Sequence, residues 1–293
     1  MRISVQHQTL YRYEAPPRRV MQLLRLTPRE YDGQIVGSWQ IDVNCDADLI
    51  RKRDAYGNIT HLLTVEQPPN ELLITAEGHV DTVDTSGVVT GLDEPLVPTV
   101  YRRPTHLSRV DEGIAAFARE ATEAVDGALA KMHALLAALH AEIRFEPGTT
   151  DVHTTAREAW QHRAGVCQDL AHLFCGAARS LNVPARYVGG HLLRRDGQNR
   201  QPAAHAWAEA YIEDLGWTAF DPAHGISTDE HYVRVSSGLD YRTAAPIVGT
   251  RMGGGTEDLT VTAETSRKMA GRAARQSQSQ SHSGSAMGQS QNQ

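Results

Sequence analysis

Three residues far apart in the chain, Cys167, His205 and Asp221, are of the types that thiol-based acyl transfer requires. Cys167 lies in Gly165-Val166-Cys167-Gln168-Asp169-Leu170-Ala171-His172, and beyond it Leu170, Leu173, Phe174, Ala177, Ala178 and Leu181 recur at helical spacing. With Gly165 breaking the chain just before, the cysteine is expected at or near a helix N-terminus. There the partial positive charge of unpaired N–H groups favours the thiolate, the form that attacks a carbonyl. The N–H of Cys167 would also point at the oxygen of a bound carbonyl and supply half of an oxyanion hole.

A thiol nucleophile needs a base, and residues 203–212 offer one. His205, Trp207, Glu209 and Tyr211 alternate with Ala206, Ala208, Ala210 and Ile212, the period of a strand. Asp214-Leu215-Gly216 turns the chain, and Trp217 to Asp221 returns it up to Pro222. In such a hairpin any register whose paired numbers have an even sum puts His205 and Asp221 on one face. They are opposite if the sum is about 426 and one diagonal apart if it is about 428. Asp221 would then fix the imidazole tautomer and leave the other ring nitrogen to the cysteine. Singly, each residue has a plainer explanation: a core thiol, a strand histidine, an Asp-Pro turn. As a set they are the three parts the chemistry needs.

Trp160 and Gln161, just upstream of the cysteine, are candidates to complete the oxyanion site, although an exposed helix residue is the simpler expectation for Gln161. Trp207, on the histidine's face, could shield the site from water. His172 falls off the apolar stripe and is expected at the surface or in a hydrogen bond. No metal is expected: Cys167, His172 and Cys175 do not share one helical face, and no Cys-x-x-Cys pair exists. No cofactor is expected either.

The first hundred residues read as strands. Ile3, Val5, His7, Thr9, Tyr11 and Tyr13 alternate, as do Ile35, Trp39, Ile41, Val43 and Cys45; Asp54 to Asn58 turns between the runs 49–53 and 59–65, and 72–83 continues the series. After Pro95, Pro98 and Pro104 the pattern becomes helical. One helix opens on Asp111 and Glu112, a second carries Leu129, Met132, Leu136, Leu139 and Ile143, and a short one follows a threonine cap at 154–155. The expected division is a β-rich region over 1–100, a core over 101–264, and a disordered Ser/Gln-rich tail over 265–293.

Together with Val183-Pro184-Ala185-Arg186-Tyr187-Val188, His205-Ala206-Trp207-Ala208-Glu209 and Gly216-Trp217-Thr218-Ala219-Phe220-Asp221-Pro222, the cysteine segment resembles the bacterial transglutaminase-like superfamily. His7 to Pro16, Leu24 to Pro28, Trp39 and Asp54 to Asn58 resemble the β-domain that precedes this core in many bacterial members. The resemblance covers about residues 1 to 250. It implies an α+β fold: a papain-like core, with the nucleophile helix packed on an antiparallel sheet, preceded by an all-β N-terminal domain. It also implies Cys167 as nucleophile, His205 as general base and then acid, and Asp221 as orienting carboxylate. The sequence departs from the usual pattern at His191, Ala223-His224 and Leu239.

The expected activity is attack on a peptide or glutamine-type amide through a thioester, more readily resolved by water, as in a cysteine protease or amidase, than by an amine, as in a transglutaminase. A binding protein that keeps the fold without catalysis is the alternative of another class. The expected partner is a peptide or protein substrate. With 29 basic and 35 acidic residues among 293, neither nucleic acid nor a membrane surface is expected as a partner. The start lacks an uninterrupted apolar stretch, so a cytoplasmic location is expected. Three cysteines, an odd number, point to free thiols.

Overall fold

The computed structural model describes residues 1–267. Six strands come first: β1 (Arg2–Tyr13), β2 (Arg19–Thr27), β3 (Gln34–Val43), β4 (Asp48–Arg53), β5 (Ile59–Glu66) and β6 (Glu71–Thr82). The expected alternation in β1 is met: Ile3, Val5, His7, Thr9, Tyr11 and Tyr13 are the buried set. The turn before β5 is closed by Asp54, whose Oδ1 accepts the N–H groups of Tyr56 and Asn58 at 3.0 Å, while Gly57 supplies the positive φ of 80°.

A two-residue strand β7 (Val88–Val89) leads to the helical region: α1 (Glu112–Glu123), α2 (Ala128–Glu142), β8 (Arg144–Phe145), α3 (Ala156–His162), β9 (Ala164–Gly165) and α4 (Cys167–Ser180). Each start has a chemical cause. Asp111 Oδ1 accepts the Ile114 N–H at 3.0 Å, and Thr155 and Glu158 cap α3 reciprocally, at 3.3 and 2.8 Å. Ile143, expected within the second helix, is instead extended just beyond α2 (φ −109°, ψ 119°).

The remaining elements are β10 (Ala185–Leu192), β11 (Arg200–Gln201), β12 (His205–Ile212), β13 (Gly216–Asp221), β14 (Ile226–Ser227), β15 (Tyr232–Gly238), α5 (Tyr241–Ala244), β16 (Ile247–Met252) and β17 (Glu257–Arg267). They complete three sheets, ordered β11-β17-β1-β6-β3, β16-β2-β5-β4 and β14-β13-β12-β10-β15, with β7 also on β13. The first two face each other across Tyr11, Val20, Leu24, Leu63, Val65, Leu72 and Ile74.

This topology moves the boundary expected at 264. Pairing of β16 with β2 and of β17 with β1 returns the chain's last described strands to the N-terminal sheets. Thr265, placed in the tail by the sequence reading, is 1% exposed within β17. The physical reason is long-range pairing: the polar residues from Thr265 onward read as a tail, but β1 offers Glu257–Arg267 a full row of backbone partners. Residues 268–293 of the expected tail lie outside the described residues.

The third sheet is covered on both faces. Helix α4 packs on Ala206, Ala208, Ala210 and Phe220 through Leu170, Leu173, Phe174 and Ala177. Burying each such large side chain contributes about 1.5–3 kcal/mol. On the other face Ile3, Val5 and Val80 of the first sheet meet Val233 and Val235 of β15. Gln34 fastens the seam, donating to the Arg234 carbonyl and accepting its N–H, both at 2.8 Å.

Candidate functional site

Cys167 is the first residue of α4, where its N–H has no acceptor within the helix. The start is held from behind: Asp169 Oδ2 accepts the Val166 N–H at 2.8 Å and the Thr150 hydroxyl at 2.6 Å. Asp169 is buried, and burial raises its pKa against these hydrogen bonds. The thiol is half-buried, and Cys45, Cys167 and Cys175 are all free.

Strands β12 and β13 pair as Ala208 with Phe220, Glu209 with Ala219 and Ala210 with Thr218, numbers that total 428. His205 and Asp221 are therefore one diagonal apart on the same face. The imidazole closes that diagonal, with Nε2 2.7 Å from Asp221 Oδ2. An ionised carboxylate only accepts, so this nitrogen carries the proton and Nδ1 is the free one. The Cys167 thiol acts on the ring in the direction that favours the imidazolium. Burial opposes a charge on His205, but the charge and hydrogen bond of Asp221, with a smaller contribution from Cys167, raise its pKa to about 10. Burial likewise opposes the charge of Asp221, yet His205 and then His224 hold its carboxyl well below the ordinary range.

Three further donors reach Asp221. Its Oδ2 accepts His224 Nδ1–H and the Tyr232 hydroxyl, each at 2.8 Å, and its Oδ1 accepts the Ala223 N–H at 3.0 Å. Sequence reasoning marked His224 only as a departure from a pattern and did not find Tyr232. Nothing in the spacing could have found it, because Tyr232 stands on β15, at the opposite side of β10 and β12 from β13.

Trp207 is 2% exposed, its ring 6.1 Å from that of His205 and 5.4 Å from that of Tyr232. It lies across Gly190, where a Cβ would come within 2.7 Å of the indole and 2.1 Å of the Val233 carbonyl oxygen, so only glycine fits. Among the described residues neither Trp160 nor Gln161 hydrogen-bonds to His205 or Asp221. Trp160 packs 4.8 Å from Phe117 under the guanidinium of Arg163, and Gln161 is exposed. The expectation for His172 is met only in its hydrogen bond: Nε2 accepts the Tyr241 N–H at 3.0 Å, but the ring is buried. From Asp169 to Arg179 every residue of α4 is buried, so leaving the apolar stripe does not mean reaching solvent.

The nitrogens of His205 and His224 and the carboxylate of Asp221 lie within 4.8 Å of one another, close enough in principle for a cation. Their contacts of 2.7 and 2.8 Å are hydrogen-bond lengths, and Oδ2 is already filled by protons, so they form a hydrogen-bonded cluster.

A helix-start thiol, an imidazole and a buried carboxylate in this order can form and release a thioester. The same chain matches the transglutaminase-like superfamily over residues 115–222 and the bacterial transglutaminase-like N-terminal region over residues 3–81. An uncharacterised protein of Mycobacterium leprae is 31% identical over 91% of the chain and 99% of its own length. The chain belongs to the transglutaminase-like superfamily. A crystal structure from Cytophaga hutchinsonii, provisionally described as a cysteine protease of this superfamily's fold, superposes with a TM-score of 0.72 at 20% identity, covering 91% of the chain and 90% of that structure. The α+β class expected from the resemblance is that of the superfamily. A protein-glutamine gamma-glutamyltransferase of Pseudomonas aeruginosa is 27% identical over 43% of the chain and 20% of its own length. The superfamily thus includes cysteine-protease-like and transglutaminase enzymes. Among the described residues no helix is long and apolar enough to cross a membrane.

Proposed function

We propose that the chain is a thiol acyl-transfer enzyme acting on peptide or glutamine-type amides, with Cys167 as nucleophile, His205 as base and then acid, and Asp221 as its orienting carboxylate. The observation that carries this reading is the buried contact of 2.7 Å between His205 Nε2 and Asp221 Oδ2, which leaves the other ring nitrogen for a thiol at a helix start. The thiolate attacks the carbonyl carbon, the C–N bond breaks as His205 gives its proton to the departing amine, and a thioester remains. The developing oxyanion takes the free N–H of Cys167. Trp207 walls the histidine from water on one side.

Water then resolves the thioester, because hydrolysis needs no second binding site; His205 takes the proton of the water and returns it to the sulfur. The similarity to a gamma-glutamyltransferase supports resolution by an amine as the second reading. One experiment separates the outcomes: a glutamine-bearing peptide mixture is incubated with enzyme and a primary amine, and the products are weighed by mass spectrometry. Cleavage or deamidation is expected, absent in Cys167→Ala and in His205→Ala. Amine incorporation would replace hydrolysis by transamidation. Unchanged peptides, or products that persist in Cys167→Ala, would remove the proposal.

A further inference from the structure

Strands β3 and β4 each end a sheet: among the described residues β3 pairs only with β6, and β4 only with β5. Both line a cavity of about 790 Å³, β3 through Val36 to Ile41 and β4 through Arg51 and Arg53. The cavity shares no residue with the constellation of Cys167, His205 and Asp221.

Arg29, also in its wall, is 5% exposed and held at both ends. Its carbonyl accepts Gln34 Nε2–H, and its Nη2 donates to the Asp93 carbonyl, each at 2.7 Å. Gly57 leaves room for the guanidinium, since a Cβ there would come within 2.6 Å of Nη1. Yet this fixed cation has no counter-charge. Among the described residues Arg29 forms no ion pair, and neither its Nε nor its Nη1 has a hydrogen-bond partner. The two carboxylates of the cavity are engaged elsewhere, Glu30 with the Val36 N–H at 3.2 Å and Asp93 with Arg53 at 3.3 Å. Arg51, exposed at the rim, likewise forms no ion pair among the described residues.

The excess of positive charge is felt by its neighbours. Burial, and then the charge of Arg51 opposite it on β4, lower the pKa of His61. Burial, and then the charge of Arg234, lower that of Arg29. A guanidinium buried without a counter-charge is costly, and a carboxylate arriving from outside offsets that cost. The cavity also has an apolar wall in Trp39, Ile41 and Ile59, and Trp39 Nε1 and His61 Nδ1 have no hydrogen-bond partner among the described residues. The free edge of β3 offers a row of backbone donors and acceptors, the partner that an extended chain needs and a small anion does not.

We propose that this cavity binds an extended acidic peptide segment, with a carboxylate on Arg29 and the peptide backbone along the free edge of β3. The site goes beyond the thiol chemistry and does not depend on it.

The test is fluorescence anisotropy of a labelled, alternating Glu-Ala octapeptide with the full chain at about pH 7.5, where its carboxylates are ionised. Wild type and Cys167→Ala should bind it equally. Arg29→Gln should weaken binding roughly tenfold or more, because a charge-assisted contact is lost, and Arg51→Gln, at the rim, about threefold. The matching Gln-Ala peptide should not bind. A Glu-Pro octapeptide, equal in charge but without the proline N–H groups, should bind more weakly than Glu-Ala. If circular dichroism shows that Arg29→Gln does not fold, Arg51→Gln and the three peptides decide. No binding by wild type, equal binding of the Gln-Ala peptide, or unchanged binding in Arg29→Gln or Arg51→Gln overturns the proposal. Loss of binding in Cys167→Ala would place the peptide at the thiol and overturn it too. Equal binding of Glu-Pro, or displacement by free glutamate as effective as by unlabelled Glu-Ala peptide, would leave a small-anion site in its place.

Discussion

Strand β12 carries two buried acid–base systems on one face, four residues apart, and they are built in opposite ways. At Glu209 the carboxylate meets permanent cations: Arg186 Nε at 2.5 Å and Arg234 Nε at 2.8 Å. Glu209 and Arg186 have no exposed side-chain surface. Burial opposes the charge of Glu209, but Arg186 and Arg234 hold its pKa at about 2. Arg186 also lies 4.0 Å over Trp217 and reaches Glu94 at 2.9 Å, joining β10, β13 and the loop after β7. At His205 the partners are neutral or titratable donors around Asp221, and the system opens toward the thiol. The first arrangement stores charge that never changes and so can only hold strands together. The second holds a charge that proton movement can alter, which is what chemistry requires.

The comparison is broken most sharply by exchanging each carboxylate for its amide. Asp221→Asn should lower turnover by roughly 10³- to 10⁴-fold, since the wrong tautomer is then favoured at His205. Its melting midpoint should fall less than that of Glu209→Gln. The latter leaves two guanidinium groups buried without a counter-charge and should cost about 3–5 kcal/mol. That is a drop in midpoint of roughly 6–20 °C for a chain of this size. Scanning calorimetry beside a turnover assay decides between them. If Glu209→Gln melts like wild type, or Asp221→Asn keeps wild-type turnover, the division between the two systems is wrong.

The two systems also differ in how far the sequence revealed them. The His205 and Asp221 pairing was legible because a hairpin is local: alternation fixed the faces, and Asp214 and Gly216, with φ of 71° and 84°, fixed the turn. The helix at Cys167 was legible from its apolar spacing. Glu209 was visible only as a residue on the histidine's face. Its partners Arg186 and Arg234 come from β10 and β15, and strand order across a crossover leaves no periodic trace. The same holds for Tyr232, and for β17, whose polar sequence hides a strand paired with β1 from Glu257 to Arg267. The oxyanion candidates Trp160 and Gln161 rest on nearness along the chain alone; Trp160 packs beside Phe117 and Gln161 is exposed.

A third buried pair sharpens the contrast, because it has neither counter-charge nor donors to spare. His7 of β1 and His191 of β10 meet between the first sheet and the core, with ring centroids 5.6 Å apart at 63°. Among the described residues His7 has only the Thr9 hydroxyl, at 3.2 Å, and no carboxylate acts on either ring. Burial lowers His7 to about 4; burial, and then His7 itself, lower His191 to about 3. This is the reverse of His205, which Asp221 raises. Both folded values lie below the ordinary imidazole value, so the unfolded chain binds protons that the native state refuses. Their contribution to stability is complete above about pH 6.5 and is lost as pH falls toward the folded values, by about 1 kcal/mol per imidazole over the first unit. Denaturant midpoints at about pH 7.5 and about pH 5.5 should therefore differ more in wild type than in the double variant His7→Gln, His191→Gln. Equal differences would mean that the two rings accept protons without opening the seam.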